Sequence, residues 1–215
     1  MSLELVIANK RYSSWSLRAW LVLSCNELAF VERRVDLQDP TYKETLRTLA
    51  IAAQVPILRH EDLIVFDSLA ICEYLAENFA LTHGWPQDRR LRAQARSFCA
   101  MMHSGYTALR RECPMNVARQ PTLTTISADA RADIATLEQA LGGLLRTHGG
   151  PFLLGPLGII DAYYAPIMLR LDRYGLSSDL SSELRAYMAR MLALPAMQAW
   201  VEAGRQEAPL ARLER

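Results

Sequence analysis

The fold of this chain is decided by residues 54–77, QVPILRHEDLIVFDSLAICEYLAE. Two short β-rich runs, Val55–Leu58 and Leu63–Phe66, flank the polar turn Arg59–Asp62, which predicts an antiparallel hairpin. The next stretch, Ser68–Phe79, carries apolar residues at helical spacing, which predicts a helix with one buried face. A hairpin that leads directly into such a helix is typical of a small α/β unit.

The residues before this hairpin predict the rest of the α/β unit. Leu3–Ala8 (LELVIA) and Phe30–Val35 are strand-like, and between them Ser14–Asn26 has the apolar periodicity of a helix. A short helix is predicted over Thr41–Leu49. The first 80 residues therefore form a β-α-β unit followed by two more strands and a helix.

The residues after the hairpin and its helix have a different pattern of apolar residues. Residues 80–87 (ALTHGWPQ) contain Gly84 and Pro86 and are predicted to be a linker. Beyond them no convincing strand occurs, and the periodicity predicts helices over 88–115, 123–148, 158–174, 180–192 and 195–203. We therefore expect an α/β domain over 1–79, a linker over 80–87 and an all-helical domain over 88–215.

Composition narrows the function classes. Twenty-four Lys and Arg against 23 Asp and Glu give a net charge of +1, which argues against a nucleic-acid partner bound through phosphate contacts. No apolar run approaches 18 residues, so no membrane partner is expected, and no signal-peptide pattern opens the chain, which favours a cytoplasmic protein. The four cysteines form no C-x-x-C pair and the four histidines are dispersed, so we expect neither metal nor disulfides.

The first candidate site is residues 12–18, YSSWSLR, where the opening strand ends and a helix begins. Ser13 and Ser14 are both good N-cap residues, which is a purely structural role. A helix N-terminus also presents unpaired N–H groups and a partial positive charge, which stabilise an anion such as a thiolate. Both interpretations are open on these residues alone.

Two further segments point to a peptide-like ligand. If the Val55–Pro56 bond after Gln54 is cis, the turn exposes the Val55 N–H and C=O to an extended peptide. Asp67 and Ser68 either cap the following helix or bind the two charges of a free amino-acid end, the ammonium at Asp67 and the carboxylate at Ser68.

These three segments resemble the cytosolic glutathione S-transferase family, and the resemblance spans the whole chain. The serine motif is similar to the S-S-C-S-x-R motif of the zeta class, with Trp15 in place of the cysteine. The resemblance implies a thioredoxin-like N-terminal domain with a mixed four-stranded sheet, an all-helical C-terminal domain, and a homodimer. It further implies glutathione as co-substrate, with no metal.

The resemblance also assigns roles to residues. Ser13 falls on the catalytic serine, with Ser14 as the adjacent alternative, and Arg18 falls on the motif arginine, a contributor to the local field or a salt-bridge partner. The residues implied to hold glutathione are Gln54, Val55, the cis-proline Pro56, Asp67, Ser68 and Arg18. The family's Ser/Thr-x-x-Asp box is here Gly158-Ile159-Ile160-Asp161.

A second substrate is expected between the two domains, where clefts usually form. Candidate contacts on the predicted helix wall at 99–111 are His103, Tyr106 and Arg110. His103 equally suits a hydrogen-bonded interface residue, Tyr106 a core residue, and Arg110 a dimer contact. We predict a glutathione S-transferase of detoxification type that attacks small apolar electrophiles. A glutathione-dependent isomerase or peroxidase, and a non-enzymatic binding or stress protein, are the alternatives.

Overall fold

The computed structural model describes residues 2–214, in which four strands form one mixed sheet. The strands are β1 (Leu3–Ala8), β2 (Phe30–Val35), β3 (Ile57–His60) and β4 (Leu63–Phe66), in the spatial order β2-β1-β3-β4. β1 pairs with β2 in parallel and with β3 antiparallel, and β3 and β4 form an antiparallel hairpin. The mixed four-stranded sheet is confirmed.

Helices cover both faces of this sheet: α1 (Ser14–Cys25), α2 (Tyr42–Leu49) and α3 (Ser68–Asn78). Successive side chains of a strand point to opposite faces. On β1, Leu5 and Ile7 therefore join the large core beneath α1 and α3, whereas Val6 joins a smaller cluster beneath α2.

The remainder of the described chain is helical, as predicted. Its α-helices are α4 (Arg89–Ser104), α5 (Thr107–Glu112), α6 (Ala128–Leu137), α7 (Gly143–His148), α8 (Ile159–Arg173), α9 (Ser182–Ala193) and α10 (Pro195–Gln206). A π-helical turn (Glu138–Gly142) joins α6 to α7, and 3₁₀ turns occupy Leu176–Asp179 and Ala211–Leu213. The central helix α8 packs against α1, α4 and α9.

A buried carboxylate fixes the start of α8. The two oxygens of Asp161 accept hydrogen bonds from the N–H groups of Gly158 (2.9 Å) and Leu153 (3.1 Å), and burial raises the pKa of Asp161 to about 7. The N–H of Ile159 donates to the Gly84 carbonyl at 3.3 Å, which ties this helix to the segment between α3 and α4.

The hairpin begins later than the sequence predicted. β3 starts at Ile57 rather than Val55, because Pro56 has no N–H to donate to the ladder. At its other end β3 extends to His60, so the β3–β4 turn is shorter than predicted. Glu61 in this turn is in a left-handed conformation (φ 58°).

The predicted helix over 88–115 is two helices. It is interrupted after Ser104 by Gly105 and by Tyr106, which is left-handed (φ 55°). A side-chain carbon on residue 105 would lie 2.6 Å from the Met101 carbonyl oxygen, so this turn requires glycine. Helix α5 therefore runs in a different direction from α4. The apolar periodicity of residues 88–115 continues through the turn and did not reveal it.

The prediction of a helix from residue 123 to residue 148 was also wrong at its start. Residues 120–127 contain no helix, because the N–H groups of Thr122 and Thr124 donate to the carbonyls of Arg173 and Tyr174 instead. Helix α6 begins only where the Ser127 hydroxyl accepts from the Ala130 N–H.

The largest apolar core runs through both halves of the chain. It includes Leu5 of the sheet and Tyr163 of α8, and α1 packs directly on α8. The domain bounds 1–79 and 88–215 stay a prediction. Within residues 2–214 no helix is both long and apolar enough to cross a membrane.

Candidate active site

Two cavities meet at Trp15. The first, here called the groove, has a volume of about 820 Å³, and the second, the side cavity, about 450 Å³. Trp15 and Leu37 line both. The groove is further lined by α2, by residues 52–56 and 66–68, and by His103, and the side cavity by residues on six separate segments.

The groove contains the three predicted peptide-binding residues Gln54, Val55 and Pro56. The Val55–Pro56 peptide bond is cis, as predicted. Within residues 2–214 the N–H and C=O of Val55 form no hydrogen bond. They are therefore available to pair with an extended ligand, as the backbone of an edge strand would be.

Asp67 and Ser68 lie together at the start of α3, also in the groove. Asp67 has φ 74°, and its Oδ1 caps the helix by accepting from the Leu69 N–H at 2.7 Å, while its Oδ2 lies 3.2 Å from His103 Nε2. The Ser68 hydroxyl is 1% exposed and lies 2.8 Å from the Tyr163 hydroxyl. If Tyr163 donates, Ser68 keeps its own hydrogen for a ligand carboxylate.

Helix α2 adds two cations to the groove that the sequence analysis missed. Lys43 and Arg47 both line it, and within residues 2–214 neither forms an ion pair. Their spacing of four residues on a helix whose apolar residues face the core was the available signal. They suit a second carboxylate at the far end of an extended peptide.

The two candidate serines have different environments. Ser13 is the N-cap of α1: its hydroxyl accepts from the Ser16 N–H at 3.3 Å and donates to the Ser16 hydroxyl at 2.7 Å. Ser14 lines the side cavity, and its hydroxyl makes no hydrogen bond to any residue from 2 to 214. Ser13 thus fixes the helix start, whereas Ser14 presents an unused hydroxyl.

Arg111 lines the side cavity and pairs with Glu112 at 3.5 Å, and three further arginines gather around this cavity. Arg110 and Arg170 line it, and Arg18 lies behind Trp15 with its guanidinium carbon 4.1 Å from the Trp15 ring centre; that of Arg110 is 4.9 Å away. Arg18 and Arg170 are 1% and 5% exposed, and burial lowers their pKa values to about 10 and about 9, so both stay charged at pH 7.

The positive charge of this cluster is not balanced by neighbouring carboxylates. Within the described residues none of the three arginines forms an ion pair. Arg170 donates through Nε to the Cys113 carbonyl at 2.9 Å, but its buried Nη1 has no hydrogen-bond partner among residues 2–214. Buried charges are normally paired, so the arrangement favours an anion in the side cavity.

The comparisons with known proteins agree with this geometry. Residues 12–78 match the family model "Glutathione S-transferase, N-terminal domain". A probable maleylacetoacetate isomerase of Caenorhabditis elegans is 28% identical over 170 residues, 79% of this chain and 78% of that protein. A glutathione S-transferase 1 of Dianthus caryophyllus is 29% identical over 169 residues, 76% of each chain. Residues 12–78 are thus a glutathione S-transferase N-terminal domain, and the similarity to members of this family extends over about three quarters of the chain.

A solved structure supports the same fold over nearly the whole chain. A Burkholderia glutathione transferase homolog, crystallised with bound glutathione, superimposes with a TM-score of 0.72 at 24% identity, covering 97% of this chain and all of that one. Glutathione is the co-substrate of the family, as the sequence predicted. Within residues 2–214, no group of His, Cys, Asp and Glu side chains is arranged to hold a metal ion.

The three residues predicted to contact a second substrate lie in three different places. His103 lies in the groove and Arg110 in the side cavity. Tyr106 lines neither: it is 4% exposed, in the core, with its ring 6.4 Å from that of Tyr164. The burial of Tyr106 agrees with the core alternative that the sequence analysis gave for this residue.

The C-terminal segment supplies a wall of the side cavity that the sequence analysis missed. Leu213 lines the cavity, and Glu214 accepts from Arg11 Nε at 2.9 Å and from the Tyr12 hydroxyl. The Tyr12 hydroxyl in turn accepts from the Leu210 N–H at 2.8 Å. The Tyr12 hydroxyl thus donates one hydrogen bond and accepts another, and both attach the C-terminal segment to the start of α1.

Proposed function

We propose that the protein binds glutathione in the groove and activates its thiol at the start of α1. The γ-glutamyl ammonium pairs with Asp67 and its carboxylate with Ser68, the cysteinyl backbone pairs with Val55, and the glycyl carboxylate lies near Lys43 and Arg47. The unpaired backbone of Val55 carries this proposal, because an extended peptide satisfies both of its polar groups.

The sulfur of a peptide held in this way points toward the first turn of α1. A thiol with a pKa near 8.5 must be lowered by about two units to be mostly ionised at pH 7, which is about 2.7 kcal/mol. A hydrogen bond to a charged acceptor supplies about 1.5–3 kcal/mol, and a helix N-terminus about 0.3–1 more. One serine hydroxyl and the helix start are therefore sufficient.

Ser14 is the hydroxyl that the hydrogen bonds favour for this role. The sequence analysis placed Ser13 first, but the Ser13 hydroxyl is engaged with Ser16 on both its donor and its acceptor side. Ser14 is free to turn toward a sulfur without breaking the cap. Ser13 acts through the helix, by holding its first turn in place.

The electrophile occupies the side cavity and carries a carboxylate. Sequence alone favoured an apolar electrophile, but Arg110 and Arg170 line this cavity and no carboxylate of residues 2–214 pairs with either. A ligand carboxylate that reaches both replaces that missing partner. The thiolate at Ser14 then attacks the electrophilic carbon from the groove side.

A glutathione-dependent isomerase is a second candidate. The Caenorhabditis elegans relative is named a probable maleylacetoacetate isomerase. In this alternative the thiolate adds to a conjugated double bond of an anionic substrate, the resulting single bond rotates, and the same thiolate leaves. Glutathione is then regenerated rather than consumed.

Calorimetric titration with glutathione, followed by turnover of an electrophile pair, tests the proposal. The pair is a conjugated carboxylic acid and its methyl ester, which have the same reactive carbon. We expect glutathione to bind and the acid to react faster than the ester. Free thiol falls with product for a transferase and stays constant for an isomerase. No glutathione binding would contradict the whole proposal and would leave a non-enzymatic binding protein.

The serine assignment has its own test in the pH–rate profile. Ser14→Ala should move the ionisation of the bound thiol upward by one pKa unit or more and leave glutathione affinity within a few fold. A profile that moves only in Ser13→Ala would return the role to Ser13.

We also propose a homodimer, with the free edge of β4 in its interface. Leu63, Ile64 and Phe66 of this strand are 44%, 43% and 39% exposed, which is unusual for large apolar residues side by side. Sedimentation at micromolar concentration should show twice the chain mass. A single species of monomer mass would contradict the proposal.

A further inference from the structure

The Asp67 carboxylate is in contact with the side chain of His103. The Nε2 atom of His103 lies 3.2 Å from Asp67 Oδ2, and this contact joins the end of α4 to the start of α3 across the groove. The side chains of Asp67 and His103 are 43% and 33% exposed, so a ligand in the groove can reach both.

The position of His103 does not depend on Asp67. Its ring packs edge-on against Trp15, with 4.8 Å between ring centres, and its carbonyl accepts from Arg110 Nη1 at 3.2 Å. The imidazole is thus held beside Asp67 by α1 and α5. The other oxygen of Asp67 is committed to the helix cap, so Oδ2 is the oxygen left for any cation.

We propose that His103 competes with the amino group of glutathione for Asp67, so that glutathione binding is linked to the protonation of His103. This inference rests on the proposed function. Protonated His103 forms an ion pair with Asp67 and repels the incoming ammonium. Neutral His103 gives up the carboxylate more readily. Glutathione therefore binds less tightly at low pH, and binding releases a proton.

The other charged groups around His103 do not change charge in the same pH range. Arg18, Arg110, Lys43 and Arg47 lie around the groove and its wall, and guanidinium and ammonium groups titrate far above neutral pH. Carboxylates titrate below pH 5.5 in the ordinary case, and Asp161, whose pKa burial raises to about 7, is hydrogen-bonded to Gly158 and Leu153 and does not line the groove. Histidine is the side chain that changes charge between these limits.

The experiment uses S-methylglutathione, because it lacks the thiol whose own ionisation would contribute. Its affinity is measured by calorimetry at pH 5.5, 6.5 and 7.5, in buffers with different ionisation enthalpies. We expect affinity to rise about two- to fivefold from pH 5.5 to 7.5, the range of a partly exposed ion pair. Proton release on binding should be detectable within this pH range.

The variant His103→Gln should make the affinity independent of pH and at least as high as the wild type at pH 5.5. His83→Gln, outside the groove, is the matched control and should keep the wild-type pH dependence. If His103→Gln does not fold, the inference is tested by the pH dependence of the wild-type affinity and by the number of protons released on binding.

Two results would overturn the inference while the proposed function stands. One is a pH-independent affinity with no proton release in the wild type. The other is weaker binding by a folded His103→Gln at every pH, which would make His103 a ligand contact rather than a competitor. If neither glutathione nor its S-methyl derivative binds at any pH, the proposed function itself fails.

Discussion

The groove and the side cavity share Trp15 but are built in different ways. The groove takes most of its lining from two short, contiguous segments, residues 52–56 and 66–68, together with helix α2. The side cavity takes its lining from residues 12–15 and 107–115, to which Leu37, Arg170 and Leu213 are added from distant parts of the chain. The groove contains the unpaired backbone of Val55 and the start of α3, whereas the side cavity contains Arg110 and Arg170. We therefore expect the groove to define a constant ligand and the side cavity to define selectivity.

The largest effect should follow removal of Arg110 and Arg170, the two lining arginines of the side cavity that form no ion pair within residues 2–214. In Arg110→Gln/Arg170→Gln, two charge-assisted hydrogen bonds of about 1.5–3 kcal/mol each are lost. The kcat/KM for the carboxylate electrophile should fall more than about a hundredfold. The methyl ester should be nearly unaffected, and glutathione affinity should stay within a few fold.

The control for this variant is Arg173→Gln, on the same helix but outside both cavity linings. It should keep the preference for the acid over the ester. An equal loss for acid and ester in the double variant would show that the arginines stabilise the fold rather than bind the substrate.

A smaller effect, on the groove alone, is expected for Ser68→Ala. Loss of a hydrogen bond to the ligand carboxylate should weaken glutathione roughly ten- to hundredfold. Ser181→Ala, at the N-cap of α9, is the matched control: it should lower the free energy of unfolding by about 1 kcal/mol and leave glutathione affinity unchanged. If Ser68→Ala behaves in the same way as this control, Ser68 has no role beyond the hydrogen bond to Tyr163.

Replacement of Ser13 and replacement of Ser14 should change the thermal stability by different amounts. Ser13→Ala removes an N-cap and should lower the free energy of unfolding by about 1 kcal/mol, whereas Ser14→Ala should lower it by less than about 0.5 kcal/mol. The reverse order would mean that Ser14 stabilises the helix start and that Ser13 is the available hydroxyl.

The smallest effect is expected for Trp15→Phe. Phenylalanine keeps an aromatic face beside Arg18 and Arg110, and the difference between two rings in a cation–π contact is a fraction of about 1 kcal/mol. The kcat/KM for the carboxylate electrophile should therefore change less than about threefold. A decrease comparable to that of the arginine variant would indicate that the indole N–H contacts the substrate.

The same contrast explains how much the sequence could predict. Asp67, Ser68 and the Gln54–Pro56 segment are adjacent in the chain, so local patterns placed them in one groove. Arg170 lies between Leu169 and Leu171 in a mostly apolar helix, and a charged residue flanked by two leucines was its only signal. Its proximity to Arg18 and Arg110 comes from packing of α8 against α1, which no local pattern encodes.

The turn at Gly105 shows the limit of periodicity in another way. Residues 88–115 keep a helical pattern throughout, yet the chain changes direction at Tyr106. The new direction brings Arg110 Nη1 back onto the carbonyls of His103 and Gly105, at 3.2 and 3.3 Å. Arg110 thereby closes the end of α4 and reaches the side cavity, whereas Tyr106 is carried into the core.

A protein that handles electrophiles must avoid alkylating itself, and the four cysteines satisfy that requirement. Burial raises the pKa of Cys25 and of Cys113 to about 11, and it raises the pKa values of Cys72 and Cys99 as well. At pH 7 a thiol with a pKa of about 11 is ionised in about one molecule in ten thousand. Reagents that titrate free thiols in an assay of this chain will therefore report mainly on the added glutathione, because the protein's own thiols are almost entirely protonated at pH 7.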